Sequence, residues 1–277
     1  MSKAFDLLKW GLTLGKDEQN FLGARWVPAF LRRVPERSKR KWALRVLDLS
    51  PHYFLFPNNP KYKGLSKDEY LEAIADDARI SREKIRDSFL LSKLEDVGSL
   101  IDWGCGPGFM AKALSPHLKK ITAVDISAGA LACAEIINGA DNIRYIVGDR
   151  KGLSTIKDGS ADAVISFHLF QHLSDKIARI VLSNASSKLR SGGKLIVHVQ
   201  TENDIWRTEE EWRSDESLKG RMKLRYGLNC FGRSQVDYQQ MLGEAGFEVE
   251  SFEDMSDLMR ENSTELDGQV IVTAYKY

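Results

Sequence analysis

The chain has 277 residues, enough for one large domain with a sizeable core. Forty basic residues against thirty-nine acidic ones leave a net charge of +1, which argues against a broad nucleic-acid surface. Three well-separated cysteines (Cys105, Cys133 and Cys230), without a CxxC pair, argue against a zinc site or disulfide framework and for a reducing, cytoplasmic setting. No apolar run reaches the roughly twenty residues needed to span a bilayer, and acids interrupt the N-terminus too early for a signal-peptide pattern.

In chain order, residues 1–66 read as a helical extension. Phe21, Leu22, Trp26, Phe30 and Leu31 recur at helical spacing, as do Trp42, Val46 and Leu49. Between them lie Arg32, Arg33, Arg37, Lys39, Arg40, Lys41 and Arg45. Such a run is either a solvated face or a peripheral contact for a membrane surface or phosphorylated acceptor. Pro51, Pro57 and Pro60 break regular structure around Tyr53-Phe54-Leu55-Phe56. A helix is expected over 67–94, capped by Ser66 or Asp68, with Tyr70, Ile74, Ile80, Ile85, Phe89 and Leu90 as its buried stripe. The run Val97–Trp103 then reads as a buried strand ending in Gly104-Cys105-Gly106-Pro107-Gly108, after which helical pattern resumes. Strands at 120–125, 143–147, 161–167 and 194–199 alternate with helices at 128–138 and 174–190. This is the signature of a doubly wound, mostly parallel α/β sheet. Residues 201–233, polar but carrying Trp206, Trp212, Tyr226 and Phe231, read as a helical lid inserted after strand five. A helix at 234–245 and strands at 247–252 and 269–275 close the sheet.

Ligands of such sheets lie beyond the carboxyl ends of the strands. Asp102, Asp125 and Asp149 fall at or just past three successive strand ends, beside the glycine turn. Asp125 is placed to accept hydrogen bonds from ribose hydroxyls. The spacing G-x-G-x-G, with Phe109 where a dinucleotide fingerprint has its last glycine, disfavours a pyrophosphate. So does the charge of Asp102, which suits a ligand amino group better. A ligand with a cationic amino acid end and an adenosine end fits the set.

These motifs resemble those of the class I S-adenosylmethionine-dependent methyltransferases. The matching stretches are Asp102-Trp-Gly-Cys-Gly-Pro-Gly108, Val124-Asp125-Ile-Ser127, Val147-Gly-Asp149, Ser166-Phe-His-Leu-Phe-Gln-His172 and Leu189-Arg-Ser-Gly-Gly193. The resemblance implies a seven-stranded Rossmann-like sheet over 67–277 that binds S-adenosyl-L-methionine. It implies that Gly104, Cys105, Gly106 and Gly108 approach this cofactor and that Asp102 holds its methionine end. Asp125 would take the ribose and Ile126 would pack on the adenine. Asp149 would face the adenine amino group, with Arg150 and Phe167 also in the cofactor site. It further implies His172, and less directly His168, as a general base that deprotonates an acceptor oxygen. His172 equally fits a role in capping or packing the following helix, and His198 reads as structural. No Asp/Asn-Pro-Pro-aromatic motif or Pro-Cys nucleophile is present. The expected acceptor is therefore a small molecule or carbohydrate methylated on oxygen. N-methylation and a non-catalytic cofactor-binding partner are the alternatives. The acceptor pocket is expected from the aromatics of the two additions: Tyr53, Phe54 and Phe56, and Trp206, Trp212, Tyr226 and Phe231.

Overall fold

The computed structural model describes residues 3–16, 20–53, 59–148, 153–201, 206–260 and 266–277. Three helices open the chain: α1 (Lys3–Thr13), α2 (Trp26–Arg33) and α3 (Glu36–Leu47). Helix α4 (Lys67–Ile85) starts at a capping box, in which the Ser66 side chain accepts from the Glu69 amide while Glu69 reaches back to the Ser66 amide. A π-helical turn (Arg86–Leu90) and the short α5 (Leu91–Lys93) lead into the sheet. Its strands and flanking helices are β1 (Ser99–Trp103), α6 (Phe109–Leu114), β2 (Lys120–Asp125), α7 (Ala128–Asn138), β3 (Ile143–Val147), β4 (Ala161–Ser166), α8 (Asp175–Lys188) and β5 (Leu189–Gln200). The insert carries α9 (Glu209–Arg213) and α10 (Leu218–Arg225). The chain closes with α11 (Gln235–Glu244), β6 (Phe247–Asp254), α12 (Met255–Met259) and β7 (Gln269–Lys276).

The seven strands lie in the order β3-β2-β1-β4-β5-β7-β6, with β1 to β5 parallel and β7 antiparallel to both its neighbours. The parallel strands are apolar on both sides because helices cover both faces. Ile101, Val124, Val164 and Val197 pack under α8 and α11, whereas Leu100, Ile121, Ala163 and Ile196 pack under the π-turn, α6 and α12. Strand β5 begins at Leu189, earlier than the glycine pair suggested, and α8 correspondingly stops at Lys188. Ile80 is not in the buried stripe of α4 but 53% exposed. The face that α4 buries follows Leu71, Ile74, Ala75 and Ile85, spacings that put position 80 on the opposite side.

The extension packs on α7. Leu22, Val27, Leu31, Leu44 and Leu47 form one apolar cluster with Cys133 of α7 and with Leu71 and Ile74 of α4. The Gly129 amide donates to the Leu22 carbonyl at 2.9 Å, and a Cβ on Gly129 would lie 2.1 Å from that oxygen. Only glycine permits this approach. Ser127 caps α7 by accepting from the Ala130 amide, and its hydroxyl donates to the Phe21 carbonyl. Much of the basic run finds its counterions within the fold. Arg40 pairs with Glu72, and Lys41 and Arg45 with Asp68, so this face of α3 is a seam against α4.

Candidate functional site

The turn after β1 bends sharply because Gly104, Gly106 and Gly108 all have positive φ (75°, 51° and 78°), a region that costs other residues energy. The Gly104 and Cys105 amides both donate to the Val124 carbonyl, which ties the turn to the end of β2. Asp125 locks it further. One carboxylate oxygen accepts from the Gly106 amide at 2.9 Å and the other from the Ser127 amide at 2.8 Å. These atoms border a cavity of about 880 Å³ at the carboxyl ends of β1, β2 and β4.

Asp102 is 2% exposed, and one of its side-chain oxygens has no hydrogen-bond partner. Burial pushes its carboxyl up to about 7. The Ala111 amide and the positive charge of Arg82 oppose that shift, and Asp125 adds to it. Asp125 is also raised, again by burial, against its amide donors. A buried carboxyl with an orphaned oxygen is costly unless a donor reaches it, and a ligand ammonium is such a donor. Arg82, from α4, lines the same cavity and offers a guanidinium for a ligand carboxylate. The residues therefore fit a ligand with an amino acid end beside Asp102 and a ribose beside Asp125. Ile126 and Phe167 also line the cavity. Cys105 lines it as well, with its thiol raised well above the ordinary range by burial. Asp149 and Arg150 lie outside the described residues, as do Phe54 and Phe56.

His172 closes the 3₁₀ turn Phe170–His172 after β4 and faces the cavity. Its Nδ1 lies 3.0 Å from the Asn229 carbonyl, an acceptor only, so Nδ1 carries the proton and Nε2 is left without a partner among the described residues. Arg233 holds this turn from behind. Its Nη1 donates to the Phe170 carbonyl at 3.1 Å, and its guanidinium pairs with Asp175. The ring of His52, from the extension, stands edge-on to His172 at 5.6 Å. Burial lowers both histidines, His52 to about 4, so both are neutral near pH 7. His168 has φ 56°, and its amide donates to His198 Nδ1 at 3.4 Å. The other nitrogen of His198 donates to the Gln269 side-chain oxygen at 2.9 Å. His198 thus braces a strained backbone with both nitrogens occupied. His52 and Arg82 escaped the sequence reading, because each comes from a segment far from the glycine turn in sequence and has no local motif.

The expected aromatic pocket is corrected by the insert's packing. Among the described aromatics of the additions, Tyr53 and Phe231 line the cavity. Tyr226 instead packs on Trp10 and Phe21, and Trp212 lies between the cations of Arg207 and Lys223. Tyr226 thus joins the insert to the extension, and beside Phe231 the insert presents Arg213, Arg221, Leu224 and Arg225 to the cavity.

Residues 101–197 match the family described as a methyltransferase domain. A ubiquinone biosynthesis O-methyltransferase of Xanthomonas campestris is 26% identical over 100 residues, 35% of this chain and 41% of that protein. An uncharacterised methyltransferase of Mycobacterium bovis is 31% identical over 110 residues, 39% of this chain and 54% of that one. The chain thus spans less than two thirds of the curated relatives it matches. A geranyl diphosphate methyltransferase solved with S-adenosylmethionine superposes with a TM-score of 0.54 at 18% identity. That match covers 77% of this chain and 93% of the other. Residues 101–197 thus match a methyltransferase domain, and the β3-β2-β1-β4-β5-β7-β6 sheet with its glycine turn and strand-end aspartates is the Rossmann-like fold that the chain shares with solved methyltransferases.

Proposed function

We propose that the protein transfers a methyl group from S-adenosylmethionine to an oxygen of a small-molecule or carbohydrate acceptor, with His172 as the general base. The observation that carries this reading is the placement of His172. Its free Nε2 shares one cavity with the orphaned oxygen of Asp102 and the glycine turn. The O-methyltransferase among the relatives favours oxygen over nitrogen.

The cofactor, when bound, supplies a methyl group already activated on a sulfonium. Asp102 and Arg82 orient the amino acid end, Asp125 the ribose, and Ile126 and Phe167 the purine. His172 is neutral at pH 7, so it can accept the acceptor's proton at Nε2 while Nδ1–H stays on the Asn229 carbonyl. Phe21, Tyr53 and Phe231 exclude water from the cavity. The test is incubation with methyl-labelled S-adenosylmethionine and a metabolite extract, followed by identification of the labelled product. Label on an ether or ester oxygen is expected. Label on nitrogen overturns the oxygen assignment, and absence of labelled product together with absence of S-adenosylhomocysteine binding overturns the whole reading.

A further inference from the structure

The cavity is electrostatically divided. Among the described residues lining it, the only carboxylates are Asp102 and Asp125, both on the glycine-turn side. The described residues of the insert contribute no acid to the wall. It contributes Arg213, Arg221 and Arg225. Helix α10 reads Leu-Lys-Gly-Arg-Met-Lys-Leu-Arg over 218–225, four cations without an acid. A helix with that composition repels itself, and it is held here by its Ser217 cap, whose hydroxyl accepts from the Gly220 amide.

The four cations and Arg213 have different fates. Arg213 is paired with Glu209. The Lys223 ammonium lies 5.4 Å from the centre of the Trp212 ring, away from the cavity wall. Arg221 and Arg225, one turn apart on a single face, line the cavity, and neither guanidinium has an ion pair or hydrogen bond among the described residues. Leu224 lies beside them on the wall. The same segment continues into Asn229, whose carbonyl fixes the tautomer of His172. Two unpaired guanidiniums on a cavity wall, in a chain with almost no net charge, are a site for an oxyanion.

We infer that Arg221 and Arg225 bind an anionic group, phosphate or carboxylate, of the methyl acceptor and so position it against His172. This rests on the reading of the cavity as a methyltransferase site. It narrows the acceptor to a molecule with an oxyanion at one end and the methylated oxygen at the other. A neutral sugar or an unsubstituted phenol does not meet that description.

The test is calorimetry at low ionic strength on the full chain loaded with S-adenosylhomocysteine, with inorganic pyrophosphate and citrate as probes. At least one probe is expected to bind. Its affinity should fall tenfold or more in the Arg221→Gln/Arg225→Gln double variant and recover substantially in Arg221→Lys/Arg225→Lys. Tighter binding of pyrophosphate assigns a phosphate, and tighter binding of citrate a carboxylate. Both substituted side chains are exposed, and an unchanged S-adenosylhomocysteine affinity in the variants shows that the site is intact. Binding of neither probe, or binding that the double variant leaves unchanged, overturns the inference. A chain that does not take up S-adenosylhomocysteine at all contradicts the methyltransferase reading instead, so the two failures are distinguishable.

Discussion

Replacing Asp102 with asparagine removes a carboxyl that the apoprotein holds at an energetic disadvantage. The group is buried, one oxygen lacks a partner, and its pKa stands at about 7 against 3.8 for an ordinary aspartate. Between those two values the folded chain keeps a proton that the unfolded chain has lost. Stability contributed by this group therefore falls as pH rises from about 4 to about 7. A shift of that size corresponds to on the order of 4 kcal/mol at pH 8, at about 1.4 kcal/mol per unit. Asparagine avoids the charge but leaves an unpaired amide in the same place, which returns about 1–3 kcal/mol of the gain. The apo variant should therefore be more stable than the wild type by about 1–3 kcal/mol at pH 8, and less stable by up to about 3 kcal/mol at pH 4, where the buried carboxyl is neutral and only the cost of the unpaired amide remains. Ligand binding should move the other way. Loss of a charge-assisted hydrogen bond to the ligand ammonium costs about 1.5–3 kcal/mol, roughly a tenfold to hundredfold rise in Kd for S-adenosylhomocysteine. Urea unfolding of both apoproteins across pH 4–8, with calorimetric titration at pH 8, measures both effects. Equal stability at pH 8, or undiminished affinity in the variant, refutes the argument that this carboxyl is strained for the sake of the ligand.

His172→Ala should lower kcat about a hundredfold with S-adenosylhomocysteine affinity unchanged. Because burial lowers the pKa of His172, wild-type turnover should rise through an inflection below pH 6.5 and stay flat above it, and the variant's pH–rate profile should lack that step. Asp125→Ala frees the Gly106 and Ser127 amides and removes the ribose acceptor, so Kd for S-adenosylhomocysteine should rise by about tenfold or more in calorimetry. Gly129→Ala drives a methyl group into the Leu22 carbonyl. It should lower the urea midpoint and open residues 20–53 to limited proteolysis, whereas an unaltered midpoint and cleavage pattern would show the contact to be dispensable.

What the sequence revealed was local. Asp102, the three glycines and Asp125 are legible because a strand, a turn and a helix follow each other within thirty residues, and periodicity fixes each one. The parallel pairing of the first five strands follows from the same alternation. His52 and Arg82 were invisible for the opposite reason, since each reaches the cavity only once α4 and the extension have packed around the sheet. Ile80 misled because a loose count of apolar residues along α4 ignores the 100° step that separates neighbours on a helix. The insert's aromatics misled because apolar side chains signal burial without saying whether a core or a ligand covers them.

The contact between Leu22 and α7 also sets an order of events in synthesis. Leu22 is fully buried with φ 57°, a conformation that leucine keeps only when its surroundings enforce it. Those surroundings are distant in sequence. The nearby bond from Ser127 to the Phe21 carbonyl joins residues 106 positions apart. At about 5–20 residues per second, the N-terminal helices leave the ribosome several seconds or more before α7 exists for them to pack on. These helices are thus made well before they can settle. Because Asn20, Phe21, His52 and Tyr53 wall the cavity, the cavity closes only after α7 has emerged and captured a segment made long before it.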